Sequence, residues 1–280
     1  MSLVGVKIEK AHIRIAPAQS WLHLNLAELW EYRELLYFLI WRDVKVRYKQ
    51  TVLGAVWAII QPFFTMVVFT LFFGLLAKLP SNGLPYPVFY YSALLPWLYF
   101  AGALQEATNT MTANRSVITR VYFPRLILPL ASVLSPLVDF AIAFTLLIGM
   151  MLFYGLAPGP AILLLPVFLL LAVVTALAVG LWLAALNAVY RDVRYVVPFL
   201  IQLWMFASPV AYPSSLVPEA WRWLYGLNPM AGVIEGFRWA LLGQGNPSLL
   251  VGVSILSLLL VFVAGLLYFR RVEGTIVDLV

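Results

Sequence analysis

The chain has no cysteine, few charged residues and few histidines. Its 280 residues include no Cys, two His and only 11% charged residues, whereas a soluble domain has about 25% charged residues. The absence of Cys excludes disulfides, thiolate metal sites and a cysteine nucleophile. Both histidines, His12 and His23, precede the first long apolar segment, so we expect no metal site.

Motifs of ATP-hydrolysing and other enzymes are absent as well. The sequence contains no G-x-x-x-x-G-K-[ST] phosphate-binding loop and no H-E-x-x-H metal motif. The position of the two histidines leaves no way to assemble a Ser-His-Asp triad. The first 20 residues contain no apolar run of the kind found in signal peptides. We therefore expect no catalytic residue, no cofactor bound by this chain and no cleaved leader.

Long apolar stretches fill most of the chain. Hydrophobic residues make up 63% of it, and a helix needs about 20 apolar residues to cross the bilayer core. We predict an all-α polytopic membrane protein with six transmembrane helices. They lie near residues 53–76, 88–107, 195–212 and 249–269, with two more inside 126–189. The sequence GLAPGP divides that last stretch, because Gly and Pro end helices.

Lys and Arg are distributed unevenly over the loops. Three of them are Lys78, Arg222 and Arg238, and the other fifteen of the 18 lie in alternate segments: residues 1–52, 111–125, 190–194 and 270–280. Because cytoplasmic loops carry the excess of these residues, we predict a multi-pass protein of the cell (inner) membrane with both termini in the cytoplasm.

The same pattern divides the chain into three parts. We predict a cytoplasmic N-terminal segment (1–52), a six-helix membrane domain (53–271) and a cytoplasmic tail (272–280). The net charge of +6 lies in loops beside apolar stretches, so it indicates membrane lipids, and not nucleic acid, as the partner.

Residues 24–41 (LNLAELWEYRELLYFLIW) have a helical pattern but are too charged to cross a membrane. Trp30 and Phe38 spoil the pattern, and the remaining apolar side chains share one face at helical spacing: Leu29, Tyr32, Leu36, Leu39 and Ile40. We predict an amphipathic helix in the cytoplasmic interface, with its aromatic residues at the level of the lipid headgroups.

Four cations follow this helix directly. Arg42, Lys45, Arg47 and Lys49 stand just before the first apolar stretch, and Asp43 is the only anion among them. Positive charge at this place anchors a transmembrane helix, by the positive-inside rule and by attraction to anionic lipid. Anchoring accounts for much of the pattern.

Glu106 and Asp139 are the carboxylates predicted at or near membrane depth. Burying an ionisable group in the bilayer is expensive, so each is a candidate functional residue. The alternatives are a polar cap near the interface for Glu106 and a hydrogen bond between helices for Asp139. We expect no intramembrane Lys or Arg beside them, which argues against a proton relay.

The segment 213–246 is apolar in parts but interrupted by Pro and Gly. Neither part is long enough to cross the bilayer, so we predict two short re-entrant helices between the fifth and sixth transmembrane helices. They cover about 217–226 and 229–242. Glu235 and Arg238 are three residues apart on the second of them, and we expect them to form an ion pair.

Three stretches resemble one family of membrane proteins. WRDVKVRYKQTVLGAVWAIIQP (41–62), NRSVITRVYFPRLILPLAS (114–132) and LNPMAGVIEGFRWALLG (227–243) are similar to the polysaccharide-export permeases of type-2 ATP-binding-cassette exporters. Such permeases handle O-antigen, related surface glycans and teichoic acids. The resemblance implies a homodimer with two copies of a separate ATPase subunit, in which ATP and Mg bind. It implies a substrate polysaccharide linked to a polyprenyl diphosphate.

The resemblance also implies roles for residues at the two ends of the membrane domain. The outer gate of the channel would include Glu235, Arg238, Asn228 as the cap of the second re-entrant helix, and Pro229 in its first turn. On the cytoplasmic side, one short loop would couple the chain to the ATPase through five residues: Arg115, Tyr122, Phe123, Pro124 and Arg125.

A further implied role concerns the cations before the first span. The lipid diphosphate is strongly anionic, and guanidinium and ammonium groups donate hydrogen bonds to phosphate oxygens. The resemblance therefore implies that four residues bind this headgroup as it enters, in addition to anchoring the helix: Arg42, Lys45, Arg47 and Lys49.

Other functions remain open at this point. A type-2 exporter for a drug or a simple lipid is the first alternative, and an ion-coupled secondary transporter that depends on a carboxylate such as Asp139 is the second. An integral-membrane glycosyl or phosphoryl transferase would need an acidic metal-binding motif on the cytoplasmic side, which the sequence lacks.

Overall fold

The computed structural model describes residues 26–49, 54–243 and 248–279, and every regular element in these ranges is a helix. Of the predictions above, residues 1–25 of the N-terminal segment and residue 53 at the start of the first span lie outside the described residues. The predicted all-α fold class is confirmed for the part of the chain that is described.

The elements follow the chain in the order α1 to α12. A 3₁₀ turn, Gly54–Val56, leads into α3, which continues as the π-helix Thr70–Leu76. The helices are α1 (Leu26–Glu31), α2 (Arg33–Lys49), α3 (Trp57–Phe69), α4 (Tyr86–Ala113), α5 (Arg115–Ile118), α6 (Ile127–Leu134), α7 (Leu137–Phe153), α8 (Leu165–Val189), α9 (Val193–Phe206), α10 (Arg222–Gly226), α11 (Pro229–Leu242) and α12 (Ser248–Leu279).

Four helical stretches among the described residues are long and apolar enough to cross a membrane. They are Gly54–Leu76, Ile127–Phe153, Pro160–Val189 and Leu250–Gly274. They match four of the six predicted spans. The other two predicted spans correspond to α4 and α9, which differ from the rest in polarity and in length.

Helix α4 is the central helix of the protein. It packs against α3, α6, α7, α8, α9 and α11, and its side chains are buried from Val88 to Leu95 without interruption. Neighbouring helices enclose α4, and Thr108 and Thr110 are buried among them. A shielded helix needs less apolar surface than one that faces lipid. Helix α9 is apolar but has 14 residues, about 21 Å of helix.

The long apolar stretch 126–189 is interrupted twice. The predicted break occurs: α7 ends at Phe153, Gly155 takes φ +67°, and a 3₁₀ turn at Pro160–Leu164 leads into α8. A second interruption separates α6 from α7 at Pro136, because a proline ring removes a helix donor and clashes with the preceding turn. This second break was not predicted.

Two helices are longer than predicted. Helix α2 continues to Lys49, so the four cations lie on the helix itself and not in a link to the membrane. Helix α12 continues past residue 269 to Leu279, through most of the segment predicted as a separate tail. In both cases the apolar pattern ends before the helix does, and polar residues extend the helix.

Candidate functional site

Helix α2 lies against the rest of the protein by the predicted apolar face. Leu39 is 2% exposed, and Leu36 and Ile40 pack against the core beside it. On the other side, Phe38 is 60% exposed, and Trp30 of the preceding helix α1 is 71% exposed. The helix is therefore fixed along one side by its contact with α6 and presents aromatic rings on the other.

The last turn of α2 carries the main polar contact of this end of the molecule. Arg47 donates hydrogen bonds from Nη1 to Asp139 Oδ2 and from Nη2 to Glu106 Oε1, the latter at 2.5 Å. Glu106 belongs to α4 and Asp139 to α7. One guanidinium thus joins three helices, through one charge-assisted hydrogen bond from each terminal nitrogen to a different carboxylate.

Two hydroxyls complete this cluster. Ser135 Oγ donates to Glu106 Oε2 at 3.2 Å, and the Tyr48 hydroxyl donates to Asp139 Oδ1. Burial, together with the hydrogen bond to Asp139, raises the pKa of Tyr48, so this hydroxyl stays protonated and remains a donor. We call the five residues, Arg47, Tyr48, Glu106, Ser135 and Asp139, the cytoplasmic cluster.

The cytoplasmic cluster combines the two predicted intramembrane carboxylates with a cation assigned to another role. We expected no intramembrane Lys or Arg beside Glu106 and Asp139; the cation that contacts both is Arg47, from the helix before the first span. The hydrogen bond between helices expected for Asp139 is confirmed. A signal was available, because buried carboxylates require a counter-ion and the cations of 42–49 are those next to the membrane.

The other cations of α2 have different surroundings. Arg42 pairs with Asp43, Nη2 to Oδ1, at 2.8 Å. Lys45 and Lys49 are exposed, and within the described ranges no ion pair joins either of them to a carboxylate. Two of the four cations are therefore free to contact an anion without giving up a partner.

A cavity of about 470 Å³ adjoins the cytoplasmic cluster. Its walls come from α3, α4 and α7, and Arg47, Glu106 and Asp139 lie at its polar end. The remaining wall is mostly apolar and includes Trp57 and Phe140. The cavity thus has one charged end beside α2 and an apolar body between the helices.

The loop after α4 holds the residues predicted to couple to the ATPase. Tyr122 is 68% exposed, whereas Phe123 is 4% exposed and belongs to the core of this chain. The backbone N–H of Arg125 donates to Glu273 Oε1 at 3.3 Å, which ties the loop to α12. Arg115 is exposed at the start of α5. Phe123 therefore anchors the loop from within, and Tyr122 presents the aromatic surface.

Asn228 caps α11 as predicted, and Pro229 begins the helix. Its Oδ1 accepts from the backbone N–H of Met230 at 3.1 Å and from Trp204 Nε1 at 2.9 Å. Its Nδ2 donates to Ala207 O and to Ser208 Oγ at 3.1 and 2.9 Å. All four hydrogen-bonding positions of the amide are used, so Asn228 joins the end of α9 to the start of α11.

Glu235 and Arg238 form the predicted ion pair, with 3.3 Å between Oε1 and Nη1. Arg238 is 1% exposed; its Nη2 donates to Pro209 O at 3.1 Å and its guanidinium lies 3.9 Å from the ring centre of Phe89. Glu235 also accepts from the backbone N–H of Ser214 at 3.2 Å. We call Glu235, Arg238 and these partners the outer cluster. It connects α11 to α4 and to the segment after α9.

Ser254 was missed by the sequence analysis. Its Oγ accepts from the N–H of Gly232 at 3.1 Å and lies 2.9 Å from Gly226 O and 3.2 Å from Asn228 O. A Cβ at position 232 would lie 2.5 Å from Ser254 Cβ, so only glycine allows this approach. A serine in the apolar run of α12 was the available signal, since polar residues in such helices bond across to neighbours.

The chain was compared with known proteins. A family model described as ABC-2 type transporter matches residues 34–242. An O-antigen export system permease protein RfbA of Myxococcus xanthus is 30% identical over 250 residues, which are 88% of this chain and 95% of that protein.

Two further relatives extend the comparison. RfbA of Klebsiella pneumoniae, also an O-antigen export system permease, is 28% identical over 206 residues, 73% of this chain and 79% of that protein. The polysialic acid transport protein KpsM of Escherichia coli is 24% identical over 242 residues, 83% of this chain and 92% of that protein. The length of the family match and the near-complete overlap with the first relative agree with the helical fold: the chain belongs to the ABC-2 type transporter family.

Proposed function

We propose that the chain is the membrane-spanning permease subunit of an ATP-driven exporter. Its substrate is a polyprenyl-diphosphate-linked polysaccharide of the O-antigen kind, which it moves from the cytoplasm across the cell membrane. The observation that carries this proposal is the 30% identity over 88% of the chain to an O-antigen export permease. The sequence of a polysialic acid transport protein, which aligns over 83% of this chain, supports the same substrate class.

In this proposal the chain crosses the membrane six times with both termini in the cytoplasm. Four crossings are the long apolar stretches, and α4 and α9 are the other two. The burial of α4 among its neighbours supports its place inside the membrane despite its polar residues. The excess of Lys and Arg in alternate segments supports the orientation. Helix α10 has five residues and cannot cross, and it forms the re-entrant pair at the outer side together with α11, which carries Glu235 and Arg238.

In this proposal a separate ATPase subunit supplies the energy for export. Two copies of this chain assemble with two copies of an ATPase subunit, in which ATP and Mg bind. The loop with Arg115, Tyr122, Pro124 and Arg125 docks on that subunit, with Phe123 holding the loop to this chain. The exposure of Tyr122 and the backbone link from Arg125 to Glu273 support a loop that is both accessible and firmly attached, as a push from the partner requires.

The substrate meets the chain first at α2. Lys45 and Lys49, exposed on the last turns of this helix, attract the lipid diphosphate, and Arg42 can join them by exchanging Asp43 for phosphate. The polysaccharide leaves past α10 and α11, the outer gate. Glu235 and Arg238 hold α11 from within, and Asn228 and Pro229 define where it begins.

The alternative is an exporter for a drug or a simple lipid. The basic turn of α2 and the separate outer helices favour the polysaccharide, because an anionic carrier needs cations at the membrane surface and a long polymer needs a continuous path with an outer gate.

The proposal is tested by deleting the gene in its source cell. Surface glycans and lipid-linked glycans inside the cell are labelled separately, and the wild-type gene on a plasmid serves as control. We expect lipid-linked polymer to accumulate inside and the surface to be bare, with both reversed by the plasmid. A normal surface with no internal accumulation would contradict the proposal and favour the drug or simple-lipid exporter.

A further inference from the structure

We propose that Arg47 is a positioning residue: it couples the interfacial helix α2 to α4 and α7, and export depends on this bridge and not on contact between Arg47 and the lipid diphosphate. The inference rests on the proposed function, which it deepens by separating one cation of α2 from the others.

The side chain of Arg47 connects α2 to two other helices. Both terminal nitrogens of its guanidinium are occupied, one by Asp139 of α7 and one by Glu106 of α4. Nη2 also lies 3.5 Å from Ser135 Oγ, at the break between α6 and α7. A shift of α2 therefore pulls on two transmembrane helices through a single side chain.

The charges around Arg47 disfavour an anionic ligand. One positive charge faces two carboxylates, so a diphosphate approaching the cluster meets net negative charge and would have to displace two charge-assisted hydrogen bonds. Lys45 and Lys49 present exposed ammonium groups without such competitors. An anionic headgroup therefore binds to the lysines more readily than to Arg47.

The place of the bridge gives it a mechanical role. Glu106 and Asp139 sit on the two helices that flank the charged end of the 470 Å³ cavity. The guanidinium sets the distance between these helices and the angle of α2 across them. The side chains of the three charged residues are 24–39% exposed, and exposed pairs contribute little to stability. Their alignment matters here more than their contribution to the folding free energy.

The test compares four variants in the whole exporter with its ATPase: R47Q, R47K, the exchange R47E/E106R, and R33Q, which removes an exposed cation of the same helix, as the matched control. Insertion in the membrane, ATP hydrolysis and surface glycan are measured for each. We expect R47Q to insert and hydrolyse ATP while surface glycan falls about tenfold, within the usual range of coupling between sites. R47K keeps the charge but loses the second terminal nitrogen, so we expect a partial loss.

The exchange variant addresses folding. R47E/E106R keeps the same three charges and places the cation between two carboxylates again, from α4 in place of α2. We expect it to export at least threefold more than R47Q. If R47Q fails to insert, R47K is compared with the exchange variant. Export by R47K without export by R47E/E106R would overturn the proposal.

A distance measurement provides a readout that a headgroup contact would not change. The chain has no Cys, so spin labels can be placed at V46C on α2 and A113C at the end of α4, both exposed positions. We expect a narrow distance distribution in the parent and in R33Q, and a broadened one in R47Q. An unchanged distribution in R47Q together with lost export would show a contact with the substrate and overturn the inference.

The two proposals fail in different ways. If the parent gene does not restore surface glycan to the deletion strain, the proposed function is wrong. If it does, and R47Q exports as well as the parent, only the role of Arg47 is wrong.

Discussion

The cytoplasmic cluster and the outer cluster are both built on one arginine, but they differ in reach and in burial. Arg47 contacts residues 59 and 92 positions away in the chain, and its side chain is 24% exposed. Arg238 pairs with Glu235 three positions before it, and its side chain is 2% exposed. The outer cluster is a local pair enclosed by the fold, whereas the cytoplasmic cluster is a long-range link at an accessible site.

This difference separates two uses of charge in a membrane protein. An enclosed pair cannot exchange partners without opening the fold, because an uncompensated buried charge is very unfavourable. An accessible bridge can release one carboxylate and keep the other, since water and lipid headgroups reach it. The outer cluster therefore fixes α11, and the cytoplasmic cluster can follow the movement of α2.

The largest expected effect is at the outer cluster. R238M removes one partner of the enclosed pair and leaves Glu235 buried without its cation, which we expect to lower stability by about 3–5 kcal/mol. The measurement is the thermal midpoint of the purified protein in detergent. R222M is the control, because Arg222 pairs with the 88% exposed Glu219 and should shift the midpoint little. Equal shifts in both variants would remove the contrast between enclosed and accessible pairs.

A smaller effect is expected at the start of α11. N228A removes the cap and leaves Trp204 Nε1 without an acceptor, while Ser208 Oγ still donates to Trp204 O; we expect a loss of about 2 kcal/mol. The thermal midpoint and the rate of proteolysis between α9 and α11 measure it. N109A is the control: Asn109 is half-buried, and the one hydrogen bond of its side chain among the described residues goes to Gln105 O. A harmless N228A would mean that α11 is held by Arg238 alone.

A substitution in the cytoplasmic cluster should lower the stability of the protein less than R238M or N228A does. D139N leaves Arg47 with Glu106 and keeps a hydrogen-bonding side chain, so we expect about 1 kcal/mol or less. A double-mutant cycle with R47Q measures the coupling between the two residues. The matching cycle of E235Q and R238M should give a larger coupling. A larger value at the cytoplasmic cluster would reverse the comparison.

The smallest effect on stability, and a clear one on export, is expected from K45Q/K49Q. Both lysines are exposed, so the free energy of unfolding should stay within about 0.5 kcal/mol of the parent's. The thermal midpoint should therefore shift little. Surface glycan should fall several-fold, and the difference from the parent should shrink at high salt, because exposed charges are screened. K78Q, a single lysine predicted on the other side, is the control. Unchanged export would mean that the two lysines anchor the helix and do not bind the lipid diphosphate.

The proposed docking of this chain on the ATPase subunit can be tested at Tyr122. Y122A should weaken co-purification of the ATPase subunit by several-fold, because aromatic side chains at interfaces contribute strongly to binding. Y154A is the control, since Tyr154 is also exposed but lies after α7, at the predicted outer end. Equal co-purification of both variants would argue against docking through Tyr122.

Local features of the fold were predictable from sequence. The Asn-Pro start of α11, the pairing of Glu235 with Arg238 and the buried face of α2 each depend on residues within one or two helical turns. The break after Phe153 follows from Gly and Pro in the same way. These signals act through backbone geometry and helical spacing, which a short segment determines by itself.

Features that depend on distant contacts were not predictable. The link from Arg47 to Glu106 and Asp139 requires three helices to be placed first, and nothing near residue 47 indicates which carboxylate it meets. Phe123 was predicted to contact a partner, but it is 4% exposed and belongs to the core of this chain. The hydrogen bonds of Ser254 depend on the packing of α12 beside the link between α10 and α11, which the sequence around Ser254 does not indicate.

The shielded position of α4 has a consequence for how the protein is made. A helix with Glu106, Thr108 and Thr110 in its second half partitions poorly into lipid when it leaves the ribosome alone. Its partners α6, α7 and α8 are synthesised after it. Under the six-span proposal, insertion of α4 has to wait beside the translocation machinery until later helices arrive to cover its polar side chains. Ribosome stalling just after residue 113 would leave this helix accessible to water-soluble reagents, and stalling after residue 189 would protect it.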